Sequence, residues 1–109
     1  MNAIPGIGFD VAKAARLLHA LSNPVRFQIV SLLRRHDLDV GTLAESVGLA
    51  QSPTSQHLRI LRDCEVVTTR RDAQRVLYSL LDPGAAQIVE TLSAALGMPQ
   101  PWGTSAKRS

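Results

Sequence analysis

The stretch Gln51-Ser52-Pro53-Thr54-Ser55-Gln56-His57-Leu58-Arg59-Ile60-Leu61-Arg62 gathers side chains that can read the edge of a base pair. A glutamine amide can bind adenine bidentately, and an arginine guanidinium can bind guanine or phosphate. A serine hydroxyl can serve either kind of partner. On a helical wheel at about 100° per residue, Leu58, Leu61 and Thr54 fall within about 60° and make a core face. Arg62, Ser55, Arg59 and Gln56 fill a neighbouring arc of about 120° that holds no apolar residue. His57 lies on the boundary, suited to packing or to touching a phosphate. Ile60 falls beside Gln56 and has no clear place on either face. A polar arc of this kind also suits the solvated side of any surface helix.

A second group follows at once. Arg70, Arg71 and Arg75 flank the polar turn Arg71-Asp72-Ala73-Gln74, between two segments rich in β-branched and bulky residues, Val66–Arg70 and Arg75–Leu80. The pattern predicts a two-stranded hairpin. Its arginines could straddle a minor groove or clamp a phosphate backbone. The bland alternative is an edge hairpin charged against aggregation. Finding a polar helical arc and an arginine hairpin side by side makes two independent coincidences less plausible than one function.

Those groups need a frame. Asp10 can cap a first helix with apolar positions Val11, Ala14, Ala15, Leu17, Leu18 and Leu21. Ser22-Asn23-Pro24 ends it and starts a second, with Asn23 as cap and Pro24 at the first position, running to about Arg35. After the polar junction His36-Asp37-Leu38-Asp39, a short third helix spans Thr42–Val47, and Gly48 supplies the freedom to end it. Ser52-Pro53 reads as the cap and start of a fourth helix, to about Asp63. After the hairpin, Asp82-Pro83 opens a last helix with Ala85, Ile88, Val89, Leu92, Ala95 and Leu96 on one side. The expected fold is mainly α with a small β-hairpin, four helices, two strands and a helix, the order of a winged helix-turn-helix. Residues 9–97 form that domain, 1–8 a flexible arm and 98–109 a flexible tail.

Composition agrees with a small globular domain. The chain has 109 residues, 45% of them apolar and 19% charged, enough for one modest core. Twelve basic and nine acidic residues give a net charge of +3, and ten of the twelve bases are arginine. Five of those arginines stand against three acids between Gln51 and Arg75. No apolar run is long enough to span a membrane, and the first residues lack the pattern of a secretion signal. One cysteine permits no internal disulfide. The expectation is a soluble cytoplasmic protein. Catalysis is not expected: no glycine-rich loop precedes a helix, Asp37 and Asp39 stand two apart in a loop, and three scattered histidines suggest no triad.

Leu18-His19-Ala20-Leu21-Ser22-Asn23-Pro24-Val25-Arg26 resembles the opening signature of the ArsR/SmtB-type bacterial repressors. Leu43 to Arg62 is similar to that family's helix-turn-helix, with its S-x-x-S-Q-H-L-x-x-L core present from Ser52 to Leu61. Val66-Val67 and Tyr78-Ser79-Leu80 match its wing strands, and the likeness covers roughly residues 11–97. The resemblance implies a homodimeric winged-helix transcriptional regulator, generally a repressor, bound to an imperfect inverted repeat of double-stranded DNA. Its first and last helices would form the dimer interface, here through Val11, Ala14, Leu17, Leu18, Ile88, Leu92 and Leu96. The residues agree, because both terminal helices carry apolar stripes that so small a monomer has little core to cover.

Ser52, Thr54, Ser55, Gln56 and Arg59 are the expected groove-facing residues, with Gln51, His57 and Arg62 beside them and Arg70, Arg71 and Arg75 on the wing. Many members of the family release DNA on binding metal, but where one family site has Cys-x-Cys this chain has Asp39 and Gly41, and where another has Asp-x-His and His-x-x-Glu it has Asp82, Gly84, Ala95 and Met98. Of the second set only Asp82 keeps a family ligand, and one carboxylate cannot build a tetrahedral nitrogen or sulfur site. No metal site or cofactor is therefore expected, and the sequence indicates no metal or small-molecule inducer. His36, Asp37 and Asp39 form the one compact group of potential ligands, and a solvated loop explains them more simply. Cys64 has two readings, a redox-active thiol or a packed inert one, the second being the simpler. Two rival functions stand beside the DNA regulator: a winged helix used as a protein-interaction module, and a redox-responsive regulator acting through Cys64. RNA is a weaker option, since a major-groove helix cannot read an A-form duplex.

Overall fold

A computed structural model describes residues 6–97; the expected tail at 98–109 and most of the arm at 1–8 lie outside the described residues. Five helices and one hairpin follow in order: α1 (Val11–Leu21), α2 (Pro24–Leu33), α3 (Val40–Val47), α4 (Gln51–Asp63), β1 (Val67–Asp72), β2 (Arg75–Leu80) and α5 (Pro83–Leu96). This is the winged helix-turn-helix arrangement.

Most helix starts are set by short acceptor side chains. Asp10 accepts from the Lys13 N–H at 3.1 Å, Asn23 from Val25 and Arg26 at 2.8 and 3.1 Å, and Asp82 from Gly84 at 2.8 Å. Each satisfies helix-start donors that have no partner within the helix. Asp39 does the same for α3 through Thr42 at 2.7 Å, so α3 begins at Val40 rather than Thr42. Gly48 ends it in the left-handed region at φ 75°.

The fourth helix departs from expectation. It starts at Gln51, with Ala50 as cap residue and no side-chain capping bond, so Ser52 lies inside the first turn. Pro53 fits there because the first amides of a helix have no intrahelical acceptor to lose. The turn instead closes on the Ala50 carbonyl, which accepts from the Thr54 N–H at 3.3 Å and from its Oγ1 at 2.9 Å.

α2 is the central element, packed against all four other helices and β2. Ile29, Val30 and Leu33 of α2 are buried with Leu43, Leu58, Leu61, Val66, Val67, Ala85 and Val89 from the surrounding elements. The hairpin turn is tighter than the sequence suggests. Arg71 and Asp72 belong to β1, paired with Val76 and Arg75, and only Ala73 and Gln74 connect the strands. The bridge Leu38↔Tyr78 adds a third, one-residue rung on the free edge of β2, with Leu38 N–H to Tyr78 O at 3.2 Å and the reverse at 2.8 Å.

Candidate nucleic-acid interface

Leu58 and Leu61 are fully buried, and they anchor α4 so that its other side faces outward. Thr54 is buried with them at 0% exposure, which corrects its expected place in the groove-facing set. It lies one turn before Leu58, and its hydroxyl is spent on the Ala50 carbonyl. Ser52, Ser55, Gln56, Arg59 and Arg62 are exposed. Ser52, Ser55, Gln56 and Arg59 line one surface cleft of about 360 Å³. Ser55, Arg59 and Arg62 line a second, of about 490 Å³, closed on its far side by Tyr78 of β2. The polar ridge of α4 therefore runs continuously towards the wing.

Gln51 is exposed but lies apart from this ridge, in a cleft with Asp39, Gly41 and Thr42 at the start of α3. His57 is half-buried, and its Nδ1 is enclosed without a hydrogen-bond partner among the described residues. Ile60 is half-buried too.

The three wing arginines divide between the two faces of the hairpin. Residues directly opposite one another share a face, and faces alternate along each strand. Arg70 pairs with Leu77 and Arg75 with Asp72, on one face; Arg71 pairs with Val76 on the other, together with Thr69 and Tyr78. Arg71 thus shares the face that Tyr78 turns towards the α4 ridge. Arg70 and Arg75 reach acids of the α2–α3 junction instead. Arg70 Nε donates to Asp37 Oδ2 at 2.9 Å, and Arg75 Nη2 lies 3.4 Å from Asp39 Oδ2.

These acids are engaged rather than merely solvated, the simpler reading of the junction. The Arg70 hydrogen bond holds the Asp37 carboxyl below its usual range, and the Thr42 amide does the same for Asp39. Among the described residues, no three histidine, cysteine or acidic side chains come together in a way that could hold a metal. Cys64 ends α4, half-buried against the core.

The dimerisation candidates also divide. Leu17 and Ile88 pack partly against the protomer's own core, and Val11 and Ala14 are half-buried. Leu18, Leu92 and Leu96 are exposed, at 58%, 38% and 76%. α1 buries only Ala20 and Leu21 of its eleven residues. An apolar groove of about 650 Å³ lies between α2 and α5, with Phe27, Leu92 and Leu96 among its walls.

Comparison with known proteins places the chain. The family model for bacterial regulatory proteins of the arsR family matches residues 23–69. Nodulation protein NolR of Rhizobium meliloti is 43% identical over 88 residues, which span 81% of this chain and 72% of NolR. The chain belongs to the ArsR family. A second ArsR-like relative, the biofilm growth-associated repressor of Xylella fastidiosa (strain Temecula1), is 39% identical over 80 residues, 73% of this chain and 70% of that one. Among solved structures, the homodimeric winged helix-turn-helix DNA-binding domain of Mb0332 from Mycobacterium bovis superposes with a TM-score of 0.71. It is 26% identical, and the match covers 78% of this chain and 79% of that one.

Within this ArsR-family chain, four residues have partners or burial that the sequence does not announce. Asp37 and Asp39 partner residues on the distant wing, and no local pattern announces that. Tyr78 reads in the sequence as part of a strand and not as a wall of the cleft; its period-two spacing from Val76 is the signal for its face. Arg26 stood within the family signature without a role, and only its burial reveals one.

Proposed function

We propose that this ArsR-family chain is a sequence-specific regulator of transcription, a repressor, that binds an inverted-repeat operator in double-stranded DNA as a homodimer. The observation that carries this reading is the exposed ridge Ser52, Ser55, Gln56, Arg59 and Arg62, on a helix whose opposite side is locked into the core. A recognition helix needs that division between a buried and a presented face. Gln56 and Arg59 are suited to base edges, Ser52 and Ser55 to bases or phosphate, and Arg62 and the wing arginines Arg70, Arg71 and Arg75 to the backbone. Gln51 and His57 are assigned to the periphery of the contact.

Dimerisation is supported by the apolar surface that α1 and α5 leave uncovered, and by the homodimeric domain the chain resembles. Two copies joined through Val11, Ala14, Leu17, Leu18, Ile88, Leu92 and Leu96 would present their α4 ridges to successive major grooves, about 34 Å apart. Occupation of the operator would then exclude other proteins from the same DNA, as the repressor named among the relatives suggests. No described helix is long and apolar enough to cross a membrane, and the proposed place of action is the bacterial cytoplasm, on the chromosome. The family's members are regulators of transcription, and we assign the chain no chemistry on a substrate.

Selection of bound duplexes from a random pool tests the proposal. The expected result is an enriched inverted repeat with half-sites one helical turn apart. A pool that shows no enriched repeat overturns sequence-specific regulation. A protein that shows no salt-dependent duplex binding belongs instead to the protein-interaction reading.

A further inference from the structure

The wing is paired with carboxylates of its own chain. Leu38 and Tyr78 bond reciprocally through their backbones, and this antiparallel rung sets Asp37 and Asp39 on the face that carries Arg70 and Arg75. Arg70 Nε reaches Asp37 at 2.9 Å and Arg75 Nη2 reaches Asp39 at 3.4 Å. Arg71, on the other face, has no ion pair among the described residues, and neither has Arg59 or Arg62 on α4.

We propose that Asp37 and Asp39 compete with DNA phosphate for the wing, so that Arg70 and Arg75 engage a duplex only by exchanging an internal carboxylate for an external phosphate. This rests on the reading of the hairpin as a DNA contact. The exchange has a physical consequence. An arginine that meets phosphate from a free state releases the DNA counterions it replaces, whereas one taken from a carboxylate leaves behind a charge that recruits a cation. The two acids therefore lower affinity for any duplex and flatten its salt dependence, without touching the contacts of Gln56 and Arg59 to bases. Discrimination passes to α4. Both carboxyls stay ionised at neutral pH, held below their ordinary value by Arg70 and by the Thr42 amide respectively.

The test is a double-mutant cycle on duplex binding, measured across a range of salt with a duplex of unrelated sequence and with the selected operator. Asp37→Asn keeps the side-chain shape, and Asp39→Asn keeps a good α3 cap. Asp37→Asn is expected to tighten binding to the unrelated duplex about two- to fivefold, the scale of one exposed ion pair. It should also steepen the slope of log K against log salt by up to about one unit. The gain should vanish when Arg70→Ala is present. A gain that persists in the Arg70→Ala background is a simple net-charge effect and overturns the proposal, as does binding that weakens or does not change. Arg70→Ala by itself distinguishes the two readings: if it leaves both duplexes unaffected, the wing contact fails, and the competition fails with it. Asp39→Asn with Arg75→Ala repeats the cycle independently.

Discussion

Arg26 Nε donates to the Ala20 carbonyl oxygen at 2.8 Å, from a residue only 7% exposed. α1 ends at Leu21, so the Ala20 carbonyl is a last-turn acceptor with no intrahelical donor, and Pro24, which starts α2, has no N–H to offer it. Arg26, on the same first turn as Pro24, satisfies it. Its Nη2 also reaches the His19 carbonyl at 3.2 Å, which Ser22 already serves through its N–H at 3.2 Å and its Oγ at 2.7 Å. Proline and arginine two residues apart thus act together to join α1 to α2.

Replacing Arg26 with Met should destabilise the fold by about 2 kcal/mol, because it leaves a buried carbonyl without a donor. Arg26→Lys should recover only part, since a single ammonium cannot reproduce the planar fork. Urea unfolding measures both. Because α1 carries Leu18, one of the exposed dimerisation candidates, sedimentation of Arg26→Met should also show a weakened dimer.

Thr54 and Gln56 lie two residues apart on α4 and should behave oppositely. Thr54→Val should leave operator affinity within about twofold and stability within about 1 kcal/mol, because the Ala50 carbonyl keeps the Thr54 N–H. Gln56→Ala should cost about tenfold or more at the operator, the value of one bidentate base contact, with little change on unrelated DNA. Binding isotherms on both duplexes separate the two. An operator loss at Thr54→Val equal to that at Gln56→Ala would return Thr54 to the groove.

Glu65 adopts φ 61° just after α4, where glycine is the usual residue. Its N–H bonds the Arg62 carbonyl at 2.9 Å and the Val66 N–H bonds that of Leu61 at 2.9 Å, the paired bonds of a Schellman ending. A Cβ in that conformation is strained, and glycine relieves the strain at some cost in chain entropy. Glu65→Gly should therefore stabilise the protein by a net of about 0.5–1 kcal/mol, read as a higher Tm. Glu65→Asn should move it in the same direction by less.

Acid should loosen the junction before α3. The Asp39 carboxyl is held below 3.8 chiefly by the Thr42 amide, and Asp37 chiefly by Arg70. A carboxyl with a depressed folded-state pKa adds stability above its unfolded value and loses it as pH falls through the folded one. Their contribution should be complete above about pH 5 and lost progressively below about pH 4. Urea midpoints across that interval should fall less steeply for Asp39→Asn than for the wild type. An equal slope in both would show that Asp39 does not contribute through its charge.

The caps at Asp10, Asn23 and Asp82, the left-handed end at Gly48, the two strands and the polar arc of α4 were all legible in the sequence. Each depends on residues within one or two turns of one another, and periodicity records such local preferences directly. The start of α4 is not legible, because Ser52-Pro53 imitates a cap while the closure uses the Ala50 carbonyl and a threonine inside the core. The partition of the wing arginines was not legible at all. Arg70, Arg71 and Arg75 look equivalent along the chain, and they differ only because Leu38 bonds to Tyr78 and brings two acids to one face of the hairpin. Likewise, an arginine two residues after a proline gives no sign that it is buried. Local chemistry determined which elements form and where most of them end; packing between residues thirty or more positions apart decided which charges are free, since distance in space is a property of the assembled fold and not of spacing along the chain.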